Sequence, residues 1–350
     1  MSSRPAVSVV SPSISIVVVN WNGFRWLPAC LKSLRAQIHL PHEIFVVDNG
    51  STDESRTWLN TQPGVTTIIN STNVGYCGGA NRGIVRASGE WILLLNHDVI
   101  LDPNYLSHLA TYAEAMPQVG LMSGLLLENE LIDSAGQFLS RTLRPRERGY
   151  HQRLENCAEA GEEGYIFSVC GAVAFYRRTM LRDITEAETN GPLDESFFAY
   201  SEDLDIGWRA QRKRWKAYYV PYAIAHHQRG AAFQKSEVSD RRKSQGYPRG
   251  VWGSQKSEYR FGKLFEKPEW LQAHIILNRY AVLIKHCPWT LWLNQSPWIL
   301  PFDLATLAIV LLHPSLWKHL WQNRSVWSLA WRYRFRYGPA QDLPYSSWIT

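Results

Sequence analysis

Ile14-Ser15-Ile16-Val17-Val18-Val19-Asn20-Trp21-Asn22-Gly23 is a β-branched run that stops abruptly at polar residues. Such side chains pack well on a pleated surface, so Ile14–Val19 predicts a strand. A second run of this kind, Glu43–Val47, ends in Asp48-Asn49-Gly50-Ser51-Thr52-Asp53, and Trp26–Gln37 between them has helical spacing. Outward from this strand–helix–strand unit the alternation continues. Ser51 or Thr52 can cap a further helix. Thr66–Ile69 predicts a third strand, Gly78–Ala87 a helix opened by glycines, and Trp91–Leu95 a fourth strand. Asp102-Pro103 starts another helix, with Asp as cap and Pro at its first position, and Val119–Leu126 is a further strand. Strands alternating with helices predict an α/β domain on a mostly parallel sheet.

Ligands of such sheets bind beyond the carboxyl ends of the strands. The polar residues that follow strands directly, Asn20 and Asn22, Asp48 and Asn49, and Asn96-His97-Asp98, are therefore expected to converge on one crevice. The segment Asn73-Val74-Gly75-Tyr76-Cys77-Gly78-Gly79-Ala80-Asn81-Arg82-Gly83 could let backbone approach a phosphate at a helix N-terminus. It is neither a P-loop nor a G-x-G-x-x-G turn after the first strand, which argues against a dinucleotide oxidoreductase.

Residues 128–164 are polar, with four Arg between 141 and 148 and four Glu between 155 and 163, and read as an irregular insertion. Order resumes over Ile166–Gly171 and Ala172–Tyr176, followed by a helix over Glu202–Arg214 and a strand over Ala217–Val220. Gln228–Gly253, rich in Arg, Lys, Ser and Gly, reads as a mobile loop. From Ser254 to about Tyr337 the periodicity is helical, broken at Pro288, Pro297, Pro301 and Pro314. The expected organisation is a catalytic-type α/β domain over residues 1–253 and a helical extension over 254–350.

Three constellations could carry chemistry. Asp98 ends an apolar strand, where a carboxylate can meet a hard cation that also takes phosphate oxygens, or can simply close a turn. Asp194-Glu195 and Glu202-Asp203-Leu204-Asp205 place five carboxylates in twelve residues beside Phe197, Phe198 and Tyr200. Apolar walls raise a carboxyl pKa as a general base requires, while acids at a helix start also suit its dipole. His226-His227 follows a strand and could complete a metal site or lie on the surface.

The 350 residues are 45% hydrophobic and 19% charged, which excludes wholesale disorder. Residues 1–258 hold equal numbers of acids and bases, so the net +6 sits entirely in 259–350, and ten of the 16 Trp lie from Trp252 onward. A basic, Trp-rich tail predicts contact with a membrane surface or an anionic partner, or else a Trp-rich helical core with solvated Arg at its rim. No nucleic-acid partner is expected. Five cysteines without a CxxC spacing fit a reducing compartment, and Met1–Ser13 lacks the apolar stretch of a secretory signal. The longest apolar run, Leu304–Leu312, is nine residues. A span needs ~20, so the expectation is a cytoplasmic protein with at most peripheral contact at the inner face of the cell membrane.

Taken in order, Val-Val-Asn-Trp-Asn-Gly (18–23), Val-Val-Asp-Asn-Gly-Ser-Thr-Asp (46–53), the glycine segment (73–83) and Leu-Leu-Asn-x-Asp (94–98) resemble glycosyltransferase family 2. So do Gly-Ala (171–172), Arg-Arg (177–178), Leu-Asp-Glu-x-Phe-Phe-x-Tyr-x-Glu-Asp-x-Asp (193–205) and Pro-x-Ala-x-x-x-His (221–227). Together they are similar to its rhamnosyltransferase-like branch, over residues 14–230. The resemblance implies a GT-A fold and inverting transfer from a nucleotide-diphospho sugar, dTDP-rhamnose or a UDP-sugar, to a glycan or lipid-linked acceptor. It implies that Asn20, Asn22 and Asp48 hold the nucleoside, with Gly78, Asn81 and Asn96 also on the donor side. Asp98 and His227 would bind Mg²⁺ or Mn²⁺, and Asp203, beside Glu202, would be the base. The chain departs from the family pattern at His97, where Pro or a small residue is common, at Ala80, and at Asn96 in place of a first acid. A glycosidase would instead need two carboxylates flanking the scissile bond. A catalytically silent, membrane-associated binding subunit and a nucleotidyltransferase remain as alternatives.

Overall fold

The computed structural model describes residues 11–186, 189–229, 267–341 and 343–350. Every residue of β1 (Ile14–Asn20) is buried, as expected of a central strand covered on both faces. It pairs in parallel with β2 (Glu43–Asp48) and β4 (Trp91–Asn96), and β2 pairs in parallel with β3 (Thr66–Ile69). Beyond β4 the sheet turns mixed. β11 (Val173–Arg177) runs antiparallel between β4 and β6 (Val119–Glu128), and β12 (Lys216–His227) lies parallel to β6. With β10 (Gly164–Ile166) at the edge, the order is β10-β12-β6-β11-β4-β1-β2-β3.

Alternate residues of β1 enter different cores. Ile14, Ile16 and Val18 pack with helices α1 (Leu27–Arg35) and α4 (Tyr105–Ala115), through Leu31, Leu34, Leu106 and Leu109. Val17 and Val19 pack on the other face with α3 (Gly75–Ile84) and α6 (Glu202–Arg212), through Cys77, Ala80, Leu204 and Trp208. This period of two is what a strand buried on both faces requires.

The glycine segment has a packing role that the sequence did not disclose. α3 begins at Gly75, three residues before the expected start, because Gly75 adopts φ +82° against Phe198. A Cβ on Gly83 would lie 2.3 Å from Val17 Cγ1. The glycines therefore seat α3 against the sheet. Gly83→Ala is expected to destabilise the fold by about 1–3 kcal/mol through overpacking, read as a lower denaturant midpoint with an unchanged slope.

Other expectations are corrected. Residues 128–164 are organised: β7 (Leu131–Ser134) extends the sheet from β6, and β8 (Gln137–Leu139) with β9 (Pro145–Glu147) forms a hairpin. The strand expected to stop at Val220 continues as β12 through a register shift between Val220 and Ile224, which accommodates Pro221, to His227. Neither Ser51 nor Thr52 caps the short helix α2 (Ser55–Leu59); the Ser51 hydroxyl instead accepts from Asn20 and from the Asn22 backbone N–H.

In the C-terminal region, α7 (Glu269–His286) joins the core beside α6 through Leu277, Ala281 and Val282. The last residues return to the α/β part, where Leu139 N–H donates to Trp348 O (2.9 Å). The expected boundary at 253/254, the loop over 230–253 and the helical pattern over 254–266 lie outside the described residues. α8 (Trp289–Leu312), α9 (Pro314–Asn323) and α10 (Ser325–Tyr337) complete the chain. Pro297 and Pro301 were expected to break the helix, yet α8 runs through both for 24 residues. The carbonyl that Pro297 leaves unpaired is that of Leu293, and the Ser296 hydroxyl donates to it (2.7 Å).

Candidate active site

The crevice forms where β1, β2 and β4 end together. Register places Asn20 opposite Asp48 and Val19 opposite Asn96. Asn20 Nδ2 donates to Asp48 Oδ2 (3.0 Å), and Arg56 Nε donates to Asp48 Oδ1 (2.8 Å). Asn22 is exposed with φ +50°, and its side-chain oxygen accepts from Thr52 N–H (2.7 Å). His97 fits here because residue 23 is glycine: a Cβ there would lie 2.2 Å from the imidazole. His97 Nδ1 lies 3.2 Å from Val19 O, and burial keeps the ring's pKa low.

Asp98 and His227 meet because β5 (Val99–Leu101) runs antiparallel to the end of β12, with His227 opposite Val99. His227 Nε2 is 3.3 Å from Asp98 Oδ1, and its Nδ1 is 2.7 Å from Asp133 Oδ2. Asp133 lies on β7 and also pairs with Arg229. Burial opposes charge on His227, but the two carboxylates outweigh it and push its pKa up to about 9. The donor set fits a divalent cation: one carboxylate and one imidazole nitrogen, with a second carboxylate behind the ring to orient it. No group of three ligating side chains occurs among the described residues. An ion held here would keep most positions for ligand oxygens or water, as Mg²⁺ and Mn²⁺ commonly do.

On the other side of the crevice, Asp203 Oδ2 accepts from Gly171 N–H (3.0 Å) and Gln137 Nε2 (3.1 Å), and Oδ1 accepts from Leu204 N–H (2.7 Å). Ala172, next to Gly171, accepts from Asn96 N–H (2.9 Å). One turn thus ties the Asp203 carboxylate to the end of β4, and Asp98 follows two residues after Asn96. Glu202 is buried, and burial together with the neighbouring Asp203 charge raises its pKa to about 8. Asp205 lies apart from the crevice. Burial alone would raise its carboxyl, but Arg209, Lys285 and His286 hold it well below the usual range.

Two further expected donor-side residues, Gly78 and Asn81, lie on α3 and, like the buried Asn20 and Asp48, have partners within the protein. Asn81 is buried and its amide is spent on the chain before α6: Nδ2 donates to Leu193 O (2.9 Å) and Glu195 Oε1 (3.0 Å), and Oδ1 accepts from Leu193 N–H. Gly78 faces Val74 and Glu195. Asn81 thereby holds the acidic segment against α3. Sequence reasoning missed Asp133, Gln137 and Asn278. Asn278 Nδ2 donates to the carbonyls of Phe197, Ala199 and Tyr200 at 2.8–2.9 Å. Those carbonyls belong to a stretch in which Phe198, Tyr200 and Ser201 all have positive φ, so α7 splints the strained turn that presents Glu202 and Asp203.

Residues 15–185 match the family model for glycosyl transferase family 2. The chain carries a family 2 glycosyltransferase domain. It is similar to N-acetylglucosaminyl-diphospho-decaprenol L-rhamnosyltransferase of Mycobacterium tuberculosis, 26% identical over 61% of this chain and 76% of that one. It is also similar to the low-salt glycan biosynthesis hexosyltransferase Agl10 of Haloferax volcanii, 27% identical over 57% and 62% of the two chains. A crystal structure of GalNAc-T7 with UDP, GalNAc and Mn²⁺ shares the fold, with a TM-score of 0.51 and 15% identity over 63% of this chain and 44% of that one. The glycosyltransferase domain accounts for the polar strand ends: they form the crevice of a GT-A-type sheet.

Proposed function

We propose that this glycosyltransferase moves a sugar, with inversion, from a nucleotide-diphospho sugar to a hydroxyl of a lipid-linked or other glycan acceptor. The observation that carries this reading is the arrangement of Asp98 with His227 and of Asp203 on either side of the strand ends. Asn20, Asn22 and Asp48 take the nucleoside, with Asn96 at the end of β4 beside them. Asp98 and His227 would hold Mg²⁺ or Mn²⁺, which supplies charge stabilisation to the leaving diphosphate. The acceptor oxygen bonds to the anomeric carbon, that carbon's bond to the diphosphate breaks, and the nucleoside diphosphate leaves with the electron pair. Asp203 takes the acceptor proton. The relatives' names, a rhamnosyltransferase and a hexosyltransferase, support rhamnose or another hexose as the sugar moved, and dTDP-rhamnose and a UDP-sugar are the donors to try first. The test is transfer of radiolabelled sugar with release of nucleoside diphosphate. Release of inorganic pyrophosphate would indicate a nucleotidyltransferase, and donor binding without turnover a silent subunit.

The C-terminal helices support docking on the cytoplasmic membrane surface. Trp289, Leu304, Leu307, Leu312, Trp317 and Trp321 are all at least half exposed, against the alternative of a Trp core. Lys318, Arg332 and Arg336 stand among them. Interfacial Trp and basic residues suit anionic headgroups. α8 is ~36 Å long, enough by length to cross a hydrocarbon core, but Asp303 in its middle pairs with Arg279 (2.8 Å), which favours a helix lying on the protein and in the interface. The full chain is expected to float with anionic liposomes at low salt and to be released by high salt. Retention through high salt and alkaline carbonate would instead show a spanning α8, and failure to float at low salt would refute docking.

A further inference from the structure

The β7–β9 segment, polar enough in sequence to read as an irregular insertion, carries a buried chain of polar groups that ends on Asp203. Gln137, the first residue of β8, lies directly across the hairpin from Glu147, the last of β9, so the two side chains share a face. Both are buried. The Gln137 amide nitrogen donates to Glu147 Oε1 (2.9 Å) and to Asp203 Oδ2 (3.1 Å). Glu147 Oε2 accepts from the Ser134 hydroxyl, whose oxygen accepts from Gly136 N–H (3.2 Å). Ser134 follows Asp133 on β7, and Asp133 bonds the His227 ring. The Gln137 backbone is fixed as well. Its N–H donates to Ser168 O (3.0 Å) and its carbonyl accepts from Phe167 and Ser168 N–H, while the Ser168 hydroxyl donates to the Asp203 carbonyl (2.7 Å).

An amide can present either end to a carboxylate, and the two ends have opposite effects. An N–H favours the ionised form, whereas a carbonyl favours the protonated acid. Glu147 decides between them here. A turned amide would set the Gln137 oxygen against two carboxyl groups at once, whereas the observed one gives an N–H to each. The fold keeps this orientation even though it leaves Gln137 Oε1 buried without a hydrogen-bond partner, an unfavourable state for an acceptor.

We propose that Gln137 and Glu147 are positioning residues for the transfer: Glu147 locks the Gln137 amide so that its N–H, and not its carbonyl, faces the Asp203 carboxylate when that group takes the acceptor proton. The assignment rests on the transfer reaction proposed above, with Asp203 as base, and adds two residues that act through it. The same β7–β9 segment supplies Asp133 to His227, so one rigid frame holds the imidazole on one side of the crevice and the base on the other. The other titratable groups facing Asp203 are Tyr76 on α3, Cys170 and Tyr176 around β11, and Glu202 on α6. Burial raises the tyrosines and the cysteine well above their ordinary values, so they stay neutral. Glu202, raised to about 8 by burial and the Asp203 charge, is protonated through the acid range.

The test is the pH profile of kcat, measured on the full-length protein at saturating Mn²⁺ with the radiolabelled donor that the wild-type chain turns over. Gln137→Met keeps the length of the side chain and removes the donor. Its acid limb is expected to move up by about one pH unit, with kcat on the plateau within ~3-fold of wild type and the donor KM unchanged. Glu147→Gln keeps the shape and removes the charge that fixes the amide. If Glu147 acted on Asp203 by charge alone, the limb would move down, because loss of a neighbouring negative charge favours ionisation. The expected movement is upward, since the Gln137 amide is then able to turn. Added to Gln137→Met, Glu147→Gln should move the limb no further. Near-UV circular dichroism checks the fold of each variant independently of the donor. An unmoved limb in Gln137→Met, a downward one in Glu147→Gln, or an equal loss of kcat at every pH would overturn the proposal and leave Asp203 as the base. Loss of the near-UV signal in both variants would assign the pair to stability alone and overturn it likewise. No transfer by the wild-type chain, or full transfer by Asp203→Asn, would overturn the reading of the base and this one with it.

Discussion

Asp203→Asn is expected to lower sugar transfer by about 10²–10⁴-fold while nucleotide binding persists. The loss should fall on kcat, because the proton is taken only as the acceptor oxygen attacks. The substitution is nearly isosteric, but the carboxylate accepts from three donors, Gly171 N–H, Gln137 Nε2 and Leu204 N–H. An amide presents N–H to at least one of them, so a modest loss of stability accompanies the loss of rate. Glu202→Gln separates the roles of the two acids. The Glu202 carboxyl is raised from 4.5 to about 8, so between those values the folded chain holds a proton that the unfolded chain has lost. Stability from this group is present below the unfolded value and falls as pH rises toward 8. Glu202→Gln should remove that slope, measured as denaturant stability across pH 5–9, and should keep most of the transfer activity. If Asp203→Asn retains activity while Glu202→Gln abolishes it, the base has been assigned to the wrong carboxylate.

Asp98→Ala is expected to lower turnover by at least ~10²-fold, in line with the loss of charge stabilisation on a leaving diphosphate. The fold should survive, since His227 keeps Asp133 and Asp133 keeps Arg229. Titrating Mg²⁺ and Mn²⁺ should show activation of the wild-type chain and little or none in the variant. Binding of Mn²⁺ followed by electron paramagnetic resonance gives a readout that does not depend on turnover. Full activity of the wild-type chain in EDTA would rule out the metal role.

The βαβ order, the buried parallel strands and the polar residues at their ends were legible in the sequence because they depend on local pattern. β-branched runs that stop at Asn20, Asp48 and Asn96 put those side chains at strand ends in any parallel arrangement. Asp98, Asp203 and His227 were visible through the motifs that carry them. What the tertiary structure decided are the partnerships that cross long stretches of chain. Asp133 reaches His227 only because β7 and β12 both pair with β6. Asn278 reaches the turn before α6 from 78 or more residues away in sequence, and no local pattern marks it as a splint. Asn81, expected on the donor side by motif, has its amide on Leu193 and Glu195 across more than a hundred residues of sequence. Pro297 looked like a break, yet the Ser296 hydroxyl satisfies the carbonyl it leaves open. Local propensity sets which segments become strands and helices, whereas hydrogen-bond satisfaction in the packed interior decides which polar side chains remain available for a ligand.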